Sequence, residues 1–153
     1  MKFVLTLLAL VALSFSANAA VVKNKKFIDN ASNEIQVTKV VYDFAKDGGS
    51  VAAYELAEAT GDTIIHSVTA AGITSLDSAA DAVTVDLGVT GATTKYLSAS
   101  AQSNFEAGDL TATATYVAPA KLAKGDKVLA EFKVAAPTAG KILFTIISSK
   151  FGQ

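Results

Sequence analysis

His66 is the only histidine of the chain, set in Thr63-Ile64-Ile65-His66-Ser67-Val68. It comes first because imidazole is the side chain that changes charge near neutral pH. A general base needs a nucleophile within reach and a third group to orient it. Neither a nucleophile elbow nor a second histidine for a metal pair accompanies it in the sequence. Alternation along the segment places His66 on one face with Ile64 and Val68, the setting of a packed or rim residue. A Ser-His-Asp set assembled from distant loops has no support in the spacing.

Carboxylates are the next candidates. Asp77, Asp81 and Asp86 are spaced loosely enough to suggest a cation, but they lack the glycine-pivoted, alternating oxygen ligands of a calcium loop. Turn-capping aspartates beside a wet strand face account for the same residues. Glu55 and Glu58 form a carboxylate pair of the type used in glycoside hydrolysis, yet no neighbouring residue would raise either pKa. Lys124-Gly125-Asp126 has the form of an adhesion tripeptide and also makes a good turn between strands. Asn30-Ala31-Ser32 is a glycosylation sequon, which matters only in a pathway that reads it. Glycine loops that cradle phosphate are absent, and no cofactor is expected.

Composition removes further chemistries. The 153 residues contain no Cys and no Trp, every basic residue is Lys, and the formal charge is −1. Thiol catalysis and Cys-ligated zinc are excluded. Without arginine forks or a basic excess, nucleic acid is not an expected partner.

The opening MKFVLTLLALVALSFSANAA joins Lys2, an apolar run and Ala17-Asn18-Ala19. This is the three-part pattern of a secretory signal, with cleavage expected between Ala19 and Ala20. The apolar run is short for a membrane crossing, which takes about 20 residues, so no stable span is expected after cleavage. Retention of residues 1–19 as an anchoring arm is the rival reading.

From Ile35 onward, short segments of period-2 alternation are separated by Gly, Asp, Ser and Asn, the signature of half-buried strands. Eight are expected: Ile35 to Tyr42, Val51 to Ala57, Thr63 to Ala70, Ala82 to Val89, Thr94 to Ala99, Leu110 to Val117, Lys127 to Ala135 and Lys141 to Ser148. The second is rich in helix formers, which competes with its reading as a strand. Turns are expected at Asp47-Gly48-Gly49, Gly61-Asp62, Gly88 with Gly91, Gly108-Asp109, Lys124-Gly125-Asp126 and Ala139-Gly140. Pro119 and Pro137 fall between strands. The fold class is all-β: a two-sheet antiparallel β-sandwich over residues 35–153, with jelly-roll connectivity as one arrangement of about eight strands. Residues 20–34 read as an extended arm, with terminal disorder as the alternative.

Ile142-Leu143-Phe144-Thr145-Ile146-Ile147 is apolar on both faces, so this strand is either central and covered on both sides or meets another subunit. Ile142, Phe144 and Ile146, with Phe27 and Ile28 of the arm, are the expected assembly contacts.

Tyr42-Asp43-Phe44-Ala45-Lys46-Asp47-Gly48-Gly49-Ser50, Thr63 to Val68, Ser78 to Val85 leading to Leu87-Gly88-Val89, and Thr138 to Ile146 together resemble a group of small tailed-phage virion proteins. The likeness spans most of residues 40–147. It implies a head-decoration or other minor structural protein, a β-sandwich without enzymatic activity, whose partners are its own copies or a capsid or surface lattice. The leader departs from that group, because capsids mature in the cytoplasm and export would remove the protein from them. A retained leader therefore implies the virion, and a cleaved one an exported protein of the periplasm, cell surface or exterior. In that second case the alternative function is an exported binding domain for a glycan or protein, with Tyr42, Tyr54, Tyr96 and Tyr116 as the available aromatic surface.

Overall fold

The computed structural model describes residues 26–28, 34–108, 110–111 and 117–150. In chain order its strands are β1 (Lys26–Ile28), β2 (Gln36–Asp43), β3 (Ala53–Ala59), β4 (Thr63–Ser78), β5 (Thr84–Val89), β6 (Ala92–Ala101), β7 (Leu110–Thr111), β8 (Ala120–Leu122), β9 (Lys127–Lys133) and β10 (Pro137–Lys150). One helical turn, α1 (Phe44–Asp47), follows β2, and 3₁₀ turns cover Ala79–Asp81 and Gln102–Phe105.

The strands form two sheets. The first has the order β1-β3-β9-β5-β6, and the second β2-β10-β4-β7, with β8 also paired to β4. Every pairing is antiparallel except that of β1 with β3. This is the expected two-sheet β-sandwich. Each of the eight expected segments meets a strand, although residues 112–116 of the sixth lie outside the described residues. The helix formers of the second segment are overridden by pairing of β3 with β9, since a paired, half-buried position outweighs a small intrinsic preference. Two strands were not expected: β8, and β1 within the arm.

Two expected turns are corrected. Gly88 lies inside β5, where an added Cβ would come within 2.1 Å of the Ala92 carbonyl oxygen. The register slips there from Leu87↔Leu97 to Val89↔Ala92, so β6 arches over a residue that has no side chain. Gly140 lies inside β10 at φ +119, and a Cβ on it would meet Leu76 Cα at 2.7 Å. It takes part in a run of register shifts between Pro137 and Ile142. β10 therefore starts at Pro137, earlier than expected, and β4 and β10 reach 16 and 14 residues.

Between the sheets, alternate residues of the two central strands meet. Val128, Ala130 and Phe132 from β9 and Ile142, Phe144 and Ile146 from β10 are all fully buried. Each large aliphatic or aromatic side chain removed from water in this way contributes about 1.5–3 kcal/mol. Tyr42, Tyr54 and Phe132 close one end, with ring centroids 4.7–5.2 Å apart.

Ser148 continues the inward row of β10 and is completely buried, yet its hydroxyl has no hydrogen-bond partner. A buried polar group left unpaired costs about 1–3 kcal/mol. Ser148→Ala is therefore expected to raise the thermal unfolding midpoint by about 2–5 °C. An unchanged or lower midpoint in a calorimetric scan would show that the hydroxyl is satisfied.

Candidate functional site

The outward rows of the second sheet follow from its registers. Val41, Leu143 and Ala71 lie side by side across β2, β10 and β4. Next come Lys39, Thr145 and Thr69, then Val37, Ile147 and Ser67. Ser149, Ile64 and Lys121 of β8 extend the face. Leu143, Thr145 and Ile147 are half-buried by their neighbours, while Val37 and Val41 are 58% and 41% exposed. Ile35 and Ile73 add two more exposed aliphatic side chains at the margins. The face thus interleaves aliphatic rows with threonine, serine and Lys39, with Lys121 at one margin and the Lys141–Asp43 ion pair at one end.

The outer face of the first sheet is different in kind. Asp86, nearly fully buried on the central strand β5, accepts from the Lys133 ammonium at 2.6 Å, and Glu131 lies 3.1 Å from the same nitrogen. Asp86, followed by Glu131, holds the Lys133 ammonium above the usual lysine range. The other Asp86 oxygen accepts from Ala99 N–H, where β6 bulges and Ala99 sits at φ +47. Lys127 pairs with Glu55 on the same face. Those charges are matched locally, whereas on the second sheet accessible aliphatic side chains stand among the polar ones.

His66 owes its place to a bulge. Pairing of β10 with β4 steps from Ile147↔Ser67 to Ser148↔Ile65, so His66 is the extra residue. A one-residue insertion reverses which side chains face the core. Ile65 and Val68 are therefore both fully buried, and Ile64 and His66 are left half-exposed. This corrects the expected grouping of His66 with Val68. Outside, His66 Nε2 lies 2.8 Å from Ser149 Oγ. Inside, the Tyr96 hydroxyl reaches across from β6 and donates to the Ile65 carbonyl at 3.0 Å. Burial pushes the Tyr96 phenol up to about 12, so it remains a donor at neutral pH.

The other sequence candidates are dispersed. Asp77 accepts from the N–H of Ser78, Asp81 from the Gln102 side chain, and Asp86 is committed to Lys133 and Ala99. Among the described residues no three of His, Asp and Glu converge as metal ligands. Glu55 is engaged with Lys127. Lys124-Gly125-Asp126 is the expected turn, with Gly125 at φ +91 and the Asp126 carboxylate accepting from Ala123 N–H. Tyr42, Tyr54 and Tyr96 are 3–5% exposed, so they offer no stacking platform, and Tyr116 lies outside the described residues, as does the Asn30-Ala31-Ser32 sequon.

The expected assembly contacts are corrected on burial. Ile142, Phe144 and Ile146 are 0% exposed and Ile28 is 1%, because even-numbered β10 residues face the other sheet. Phe27 belongs to β1, but its side chain is outside the described residues. The accessible members of the same apolar run are Leu143 and Ile147. Sequence reasoning read the run as apolar on both faces but took its contact residues, Ile142, Phe144 and Ile146, from the parity that lies inside. The His66 bulge had no sequence signal.

No protein-family model, curated protein or solved structure matches the chain.

Two predictions test this geometry. Tyr96→Phe leaves the Ile65 carbonyl without its cross-sheet donor and should cost about 1–2 kcal/mol in chemical denaturation; no loss would mean that the bulge carbonyl finds another donor. Asp43 is held below the usual carboxylate range, first by the hydrogen bond from Lys141, whose ammonium lies 3.1 Å away. A depressed folded-state pKa gives stability that is present above the unfolded value, about 4, and lost as pH falls through the folded one. Lys141→Met should therefore move the onset of acid unfolding to higher pH. An unchanged acid limb in a circular dichroism titration would refute that coupling.

Proposed function

We propose that this protein is a non-enzymatic structural module of the virion-surface or decoration type, which works by laying the outer face of its second sheet against other proteins. The supporting observation is the asymmetry between the sheets: one outer face has Asp86, Glu131, Lys133, Glu55 and Lys127 tied up in ion pairs, while the other carries Val37, Val41, Leu143 and Ile147 in two rows on either side of the Lys39-Thr145-Thr69 row. Accessible aliphatic side chains gathered on one face and interleaved with polar ones are a usual mark of a protein contact. Lys39 and the threonines provide the polar fraction that keeps such a face compatible with water until it docks.

A catalytic reading has less to stand on. His66 and Ser149 form a pair on a strand face, and among the described residues no carboxylate is found bonded to the imidazole to orient it. No cofactor is invoked. The exported alternative uses the same face for a protein ligand, whereas its glycan version loses the three tyrosines that are buried. A retained leader goes with the virion, and a cleaved one with export.

The test is reconstitution on native particles. The full chain should co-sediment with them in fixed stoichiometry, and Ile147→Asp, shown folded by circular dichroism, should weaken that binding at least about tenfold. Equal binding of the variant, or recovery of the natural protein only as a free species, would reject the assignment.

A further inference from the structure

His66 is the chain's only histidine, and imidazole is the side chain whose charge changes between about pH 5 and 8. The bulge turns it outward, into the face of the second sheet. Its outward neighbours on β4 are Ser67, opposite Ile147 of β10, and Ile64, opposite Ser149 of β10 and Lys121 of β8. Its Nε2 lies 2.8 Å from Ser149 Oγ. The ring therefore reaches across to β10 on the side of the sheet that carries Ile147, since residues two apart on a strand share a face.

These surroundings suit the neutral ring. A neutral imidazole has one N–H and one bare nitrogen, and a serine hydroxyl answers either tautomer. Imidazolium carries two donors and a charge, and the charged positions that packed strands bring toward it are all lysines. They are Lys121 on β8, Lys150 on β10 opposite Thr63, and Lys39 on β2 in the row beyond Ile147. Residues 110–119 contain no acid and no lysine, and Tyr116 is their one titratable residue. The acids at this end of the sheet, Glu34 and Asp62, are both exposed and precede β2 and β4. From the core side, the Tyr96 hydroxyl donates to the Ile65 carbonyl.

We infer that docking of this face is gated by protonation of His66: with the ring neutral the face binds its protein partner, and with the ring charged it lets go. The inference rests on the proposed role of the face and names how that same site is regulated. A partner that covers Ile147 and Ile64 also takes the imidazole between them out of water. A neutral ring bonded to Ser149 is covered at little cost, whereas a covered cation needs a counter-charge or further acceptors. Lysines at the neighbouring positions add repulsion instead. Binding thus favours the deprotonated ring, and by reciprocity proton uptake opposes binding. The sign follows: docking is strongest above the ordinary imidazole value, about 6.5, and weakens as pH falls below it. His66 lies half-exposed outside the core, so it is the contact and not the fold that responds.

The full chain is co-sedimented with native particles at about pH 8 and about pH 5.5, either side of the ordinary imidazole value. His66→Gln, His66→Lys and Ile147→Asp are run beside it, each shown folded by circular dichroism at both pH values. The natural chain should bind about tenfold more weakly at the lower pH. His66→Gln keeps a polar group for Ser149 but does not titrate, and should bind alike at both. His66→Lys carries its charge throughout and should bind weakly at both. Tight binding of Ile147→Asp at the higher pH would reject the contact face, and this inference with it. If Ile147→Asp loses binding while His66→Gln keeps the pH response of the natural chain, the face stands and the role of His66 is overturned. Absence of any pH response in the natural chain, or tight binding of His66→Lys, would overturn it equally.

Discussion

Alternation along β10 is the constraint on which the rest of the molecule depends. One parity, Ile142, Phe144, Ile146 and Ser148, is withdrawn completely from water and meets β9 and its neighbours across the sandwich. The other parity, Leu143, Thr145 and Ile147, must then face outward. Because β10 is central in its sheet, it fixes β2 on one side and β4 on the other. Any slip by one residue would exchange core and surface over the full width of the sheet. The bulge at His66 is a place where β4 departs from this phase, as it does again opposite Pro137 to Ile142, and at His66 a tyrosine from the opposite sheet occupies the neighbouring carbonyl.

The two sheets share a core and differ in what they turn to solvent. In the first, Asp86, Glu131 and Lys133, with Glu55 and Lys127, tie neighbouring strands together. Such pairs at a partly exposed surface contribute little stability individually, but they leave few unmet charges for a partner to use. In the second, aliphatic rows occupy the corresponding positions.

The strands were legible in the sequence because their alternation is a local property. Val83 to Leu87 and Lys127 to Phe132 show it directly, and both occupy central strands. Gly88 and Gly140 were misread as turns because a glycine letter does not distinguish a turn from a place where another backbone passes close by. The outward face was only half legible. Apolar residues at both parities of Ile142 to Ile147 announced a strand needing cover on two sides, but which parity lies inside is set by where the other sheet packs, which the alternation of a single strand does not contain. The bulge at His66 was invisible, since it is a property of how β4 pairs with β10 and no residue type in either strand marks it.

Surface footprinting of the full chain within its native assembly, compared with the isolated protein, addresses the central claim most directly. The account predicts that Val37, Val41, Leu143 and Ile147 lose reactivity toward solvent radicals in the assembly while Leu129, on the outer face of the other sheet, keeps its own. Protection of the ion-paired sheet instead, or equal labelling of both faces in the two states, would contradict it.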